Sequence, residues 1–167
     1  MMRFSAVASC ALLLSMILVS SHAEDLKHDR FENPGADERY VAGLGEIMSA
    51  TQMRHAKLWF AANAANWRLA DFELNELEEG FEDAIKFHPV FKEIPVAILL
   101  DTFTEQPMKK LQNAIESEDN LQFNAAFSEL TSACNSCHKA ANREFIVITT
   151  PSESPVSNQK YAMDTAE

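Results

Sequence analysis

Glycine is scarce in this chain, with four residues among 167. Few positions are therefore free to take positive φ, which argues against an all-β sandwich and against the Gly-rich loops that cradle phosphates. Basic residues are also few, 14 Lys and Arg against 25 Asp and Glu, for a formal charge of −11. Affinity for a phosphate backbone comes from clustered cations, so nucleic acid is not an expected partner. No membrane span is expected either, because the main apolar run, Ala11 to Val19, is about half the ~20 residues that a spanning helix needs. Neither an internal repeat nor an alternating strand pattern is present. What is present is ordinary globular composition, 47% hydrophobic and 23% charged, in a length suited to one domain.

Residues 1–23 combine Arg3, that apolar run and the small-x-small ending Ser21-His22-Ala23. This is the pattern of a secretory signal peptide cleaved near Ala23, and it predicts a periplasmic protein. Cys10 leaves with it. Most of the apolar run follows Cys10 rather than preceding it, which argues against a lipoprotein cysteine. Cleavage removes one charged residue, Arg3, so the mature chain is more acidic still. Residues 24–38 are polar, carry the turn signal Asn33-Pro34-Gly35 and read as a lead-in loop.

Helical periodicity begins near Arg39, where Val41, Leu44, Met48, Thr51, His55, Leu58 and Ala62 recur three or four apart. A second helix is predicted from Trp67 to Phe87, with Ala70, Leu74, Leu77, Phe81 and Ala84 inward and Glu73, Glu76, Glu78, Glu79 and Glu82 towards solvent. His88-Pro89 ends it. Residues 89–101 read as a connection lying against the bundle. The third helix is predicted from Thr104 to Ser117, with Thr104 as N-cap and Pro107 in the first turn. The fourth runs from Asn120 to Phe145 and lines up Phe123, Phe127, Leu130, Cys134, Cys137 and Ala141 on one side. Residues 148–167 have two prolines and no periodicity and are expected to be disordered. Four amphipathic segments with mostly short links predict an all-α fold, an antiparallel four-helix bundle over residues 39–147.

One motif carries chemistry. Cys134-Asn135-Ser136-Cys137-His138 is a C-x-x-C-H sequence, the attachment motif of one covalent haem c. Its two thiols add across two vinyl groups of the porphyrin, and the adjacent imidazole becomes the proximal iron ligand. Three other uses of the pair weigh less. A thioredoxin-like site follows a strand at a helix N-terminus, and no strand precedes this pair. A structural zinc needs four ligands, whereas the mature chain offers two thiols and His28, His55, His88 and His138 without a second paired motif. A disulfide between helical positions i and i+3 is geometrically awkward.

The segment from Phe123 through the motif to Arg143, and Met108-Lys109-Lys110-Leu111-Gln112-Asn113-Ala114-Ile115 before it, resemble the fourth and third helices of the cytochrome c′ class. The first two helices agree with that class in length and pattern but not in motif, and the connection 89–101 and the tail depart from it. The resemblance implies a periplasmic four-helix haem bundle with Cys134 and Cys137 as thioether anchors and His138 as proximal ligand. It also implies a distal position in the first half of the first helix, held by methionine in six-coordinate members and by an apolar residue in five-coordinate, gas-binding ones. Homodimers occur in the class.

Antiparallel first and fourth helices bring Met48 level with His138, which makes Met48 the first choice for the distal ligand. His55 lies about 10 Å further along the same stripe, Met53 is turned about 140° from Met48, and a site without a distal protein ligand is the remaining case. Arg54 and Arg143 are candidates for the haem carboxylates or, equally, for solvated surface. Trp59, Phe60, Trp67, Phe72, Phe81 and Phe127 are core filling, with one or two rings against the porphyrin. Two functions follow. One is an electron carrier, not an enzyme, whose acidic surface suits a basic redox partner. The other is an NO- or CO-binding protein with an open distal site.

Overall fold

The computed structural model describes residues 40–163. The expected signal peptide and lead-in loop, residues 1–38, lie outside the described residues, as does Cys10. Four helices follow one another: α1 (Leu44–Asn63), α2 (Trp67–Phe87), α3 (Val96–Glu116) and α4 (Asn120–Ala140). Residues 64–66 and 117–119 are links long enough only to reverse the chain, so α1 and α2, and α3 and α4, pair antiparallel. α2 also packs on α3, whereas α1 and α4 meet over a short length only. The fold is an all-α four-helix bundle, and among the described residues there is no strand. The centre is filled by fully buried Leu58, Leu74, Leu77, Leu111, Phe123, Phe127 and Leu130. No helix among the described residues is long and apolar enough to cross a membrane.

The scarcity of glycine does not prevent tight helix ends. α1, α3 and α4 each finish in the left-handed region at a non-glycine residue, Ala65 (φ 54°), Glu118 (φ 52°) and Asn142 (φ 54°). In each case the next amide reaches back to the last turn: Asn66 N–H to Ala61 O, Asp119 N–H to Ala114 O and Arg143 N–H to His138 O. These are Schellman caps, built here at the cost of side-chain strain that glycine would avoid. α2 and α4 start on side-chain caps, Asn66 accepting from Leu69 N–H and Asp119 from Gln122 N–H.

α2 and the start of α4 fall where the periodicity predicts. α3 starts at Val96, eight residues before the predicted Thr104. Thr104 is not its cap; its buried hydroxyl donates to Leu100 O within the helix. Pro107 sits inside the helix, where its missing N–H leaves the Phe103 carbonyl without its helical donor. The stripe Val96, Leu100, Thr104, Met108 and Leu111 is buried on both sides of the proline, and that burial carries the helix through it. α4 ends at Ala140 rather than Phe145, because Asn142 turns left-handed. Val41, predicted inward, is exposed and precedes α1.

Glu73 corrects another expectation. It is 1% exposed rather than solvated, held by Arg54 at 3.1 Å and Lys57 at 3.4 Å from α1, and Arg54 also pairs with Glu76. Above this cluster α1 and α2 come very close: a Cβ on Gly80 would lie 2.6 Å from Thr51 Oγ1. Residues 149–163 form no helix or strand, in keeping with their lack of period, but they are tethered. Ile148 is buried beside α4, and Tyr161 packs its ring 5.4 Å from Phe60 while its carbonyl accepts from Asn66 Nδ2.

Candidate functional site

The seam between α1 and α4 is closed at one end and open at the other. At the closed end Asn120 Nδ2 donates to Ala62 O, and Trp59 lies 6.5 Å and 4.9 Å from the rings of Phe123 and Phe127. The last crossing contact is His55. It stacks on Phe127 at 4.3 Å, and its Nε2 lies 2.9 Å from Thr131 Oγ1. The Thr131 hydroxyl proton is spent on Phe127 O, so His55 Nε2 is the donor. Past His55 lies a cavity of about 360 Å³.

Every element contributes to its wall. α1 supplies Leu44, Met48, Thr51 and His55; α2 supplies Leu77 and Phe81; α3 supplies Val96, Leu99, Leu100 and Thr104. Phe91 and Ile94 come from the connection, Cys134, Cys137 and His138 from α4, and Arg143, Ile146 and Ile148 from the chain beyond it. Exposed Ser49, Gln52 and Ile146 mark its rim.

His55 and Thr131 set the register of the two helices. Met48 is seven residues before His55, and His138 seven after Thr131. Two antiparallel helices that leave a shared level by the same seven residues travel the same ~10 Å, and two turns bring each back to within about 20° of its starting face. Met48 and His138 therefore occupy one level on opposing walls. Both predicted helix ends were too long, but by similar amounts at the two helices, so the predicted levelling survives.

On α4, Cys134, Cys137 and His138 share a face through their i, i+3 and i+4 spacing. Both thiols are free and half-buried. Burial pushes Cys134 up to about 12, with the neighbouring Cys137 adding to the shift, and burial raises Cys137 as well. Both stay protonated near neutrality. His138 has a fixed tautomer. Its Nδ1 lies 2.9 Å from Ile146 O, and a carbonyl can only accept, so Nδ1 carries a proton and the neutral ring has its lone pair on Nε2. Among the described residues no three His, Cys, Asp or Glu side chains are grouped around one point where a bare metal ion would sit. The donors are spread along a wall.

The other candidates separate. Met53 is 38% exposed and does not line the cavity. His55 is 4% exposed, bonded to Thr131, and desolvation pushes it down to about 4, so it is a neutral ring at the inner end of the cavity. Arg54 is committed to Glu73 and Glu76, whereas Arg143 lines the cavity. Phe81 reaches the cavity; Phe60 and Trp67 pack at the closed end, and Phe72 is exposed under the Arg54 guanidinium. The wall contributed by α3 was not anticipated, although the apolar run Ile94 to Leu100 is its signal. Asn135, the first variable position of the motif, was missed as well: its side chain both donates to Ile148 O and accepts from Ile148 N–H, each at 2.8 Å.

The residues present fit a haem: an apolar slot has two thiols and an imidazole with a free Nε2 on one wall, and a thioether on the other. No protein-family model, curated protein or solved structure matches the chain.

Proposed function

We propose that the protein is an exported, periplasmic electron carrier with one covalently held haem c. The observation that carries this reading is the convergence of Cys134, Cys137 and His138 on one wall of an apolar cavity, with Met48 level on the other. Each thiol would add across a vinyl group, sulfur to one carbon and proton to the other, with no redox change. His138 would bind through Nε2 and Met48 through its sulfur, and Arg143 is placed to meet a carboxylate at the rim. When bound, the haem supplies a one-electron iron couple, whose potential a thioether ligand raises. The protein's part is to hold both ligands on rigid helices and to exclude water with Phe81, Leu100 and their neighbours. Little then has to rearrange when an electron arrives. The resemblance to the cytochrome c′ class supports the same reading, and the acidic composition suits a basic redox partner.

Mass spectrometry of the exported protein should show one haem that survives denaturation, absent in Cys134→Ala/Cys137→Ala. The ferric visible spectrum should be low-spin, with the methionine-to-iron charge-transfer band in the near infrared. Met48→Ala should abolish that band and His55→Ala retain it. A high-spin spectrum in the wild type that responds readily to CO would sink the electron-carrier reading in favour of gas binding.

A further inference from the structure

The chain beyond α4 does not leave the site. Asn142 turns it, Arg143 N–H caps the His138 carbonyl, Ile146 N–H bonds Arg143 O in a further turn, and the return brings Ile146 to His138 and Ile148 to Asn135. Three hydrogen bonds hold this return to the motif turn: the reciprocal pair between Asn135 and Ile148, at 2.8 Å each, and the one from His138 Nδ1 to Ile146 O, at 2.9 Å. Ile148 is buried, whereas Phe145, Ile146 and Val147 are exposed, so Ile148 is the residue of the return that packing holds most firmly. The amide of Asn135 sits at that grip.

We propose that Asn135 is the positioning residue of His138: by clamping Ile148 to α4 it places the Ile146 carbonyl on the Nδ1 proton, which fixes both the tautomer and the rotation of the imidazole and keeps Nε2 directed to the cavity. Asparagine suits the task because one amide group presents a donor and an acceptor side by side, matching the N–H and C=O of a single backbone residue. Ser136, the other variable position, has no such role; its hydroxyl donates to Ser132 O within its own helix. The proposal rests on the haem reading for its purpose, but the clamp is a property of the chain. With haem bound, a carbonyl on Nδ1–H makes the imidazole more basic and favours ferric iron, so loosening it raises the potential.

The test uses the full exported chain labelled with ¹⁵N-histidine. Long-range proton–nitrogen spectra should show His138 in the Nδ1–H tautomer, in haem-free protein and in reduced haem protein alike. Asn135→Ala should speed solvent exchange of that proton about fivefold, the factor for roughly one net hydrogen bond. Asn135→Asp keeps the acceptor for Ile148 N–H and should fall between, which preserves the test should the alanine variant fold poorly. Ser136→Ala should match wild type. In haem protein the midpoint potential should rise in Asn135→Ala relative to wild type; the charge that Asn135→Asp adds lowers the potential by itself, so that variant is read by proton exchange alone. An Nε2–H tautomer in the wild type, or unchanged exchange and potential in Asn135→Ala, overturns the proposal. Absence of covalent haem overturns the haem reading instead and leaves the tautomer measurement to decide the clamp.

Discussion

His55 shows what one buried polar side chain does for the bundle. Its ring is stacked on Phe127 and its Nε2–H is used by Thr131, so it ties α1 to α4 by a buried side-chain pair at the inner end of the cavity. The neutral form is the one the fold accepts. In the unfolded chain the ring titrates near its ordinary 6.5, and in the fold near 4, so between those values the unfolded state binds more protons. Its contribution to stability is therefore intact above pH 6.5 and is lost as pH falls towards 4, by an amount on the order of 3 kcal/mol. Urea unfolding across that range should show a loss of stability that is reduced in His55→Gln, which keeps a donor for Thr131 and does not titrate. An equal pH slope in the two proteins would show that other groups cause it.

At the scale of the element, the helices divide by how local their signals are. α2 was legible because a regular apolar stripe and the His88-Pro89 stop mark it from within. α3 was not, because Pro107 imitates a first-turn proline and Thr104 imitates a cap; only burial of the stripe on both sides of Pro107 decides the matter, and burial is a tertiary fact. Glu73 misled for a related reason, since its partners Arg54 and Lys57 belong to another helix. In the site, the motif and the levelling of Met48 were readable from spacing. The Asn135 and His138 contacts with residues 146–148 follow a chain reversal that has no period, so nothing announces them. The helix ends carry their own prediction. Ala65→Gly and Glu118→Gly should each raise stability by about 0.5–1 kcal/mol, as relief of left-handed strain exceeds glycine's added freedom in the unfolded chain. Asn142→Gly should gain less, since asparagine tolerates that conformation. Thermal melts of the three variants check the ranking, and a largest gain at residue 142 would contradict it.

For the whole molecule, the charge balance is more specific than its sum. Arg54, Lys57, Lys109 and Lys110 are each paired with carboxylates, so much of the cationic charge is cancelled locally while most of the glutamates remain exposed. Small oxidants report the resulting field without any knowledge of the natural partner. If the protein carries the proposed haem, its reduced form should transfer electrons to a cationic cobalt(III) complex at a rate that falls as salt rises from low to physiological strength, and to hexacyanoferrate(III) at a rate that rises. Opposite slopes would place the positive side of the molecule at the site. The seven-residue spacings from Met48 to His55 and from Thr131 to His138 have a further meaning. They are matched scales read from one zero, and a single residue added to either would turn Met48 or His138 by about 100° and shift it about 1.5 Å. Their lengths are therefore fixed, because even equal insertions in both would keep the two side chains level while turning each of them away from the cavity.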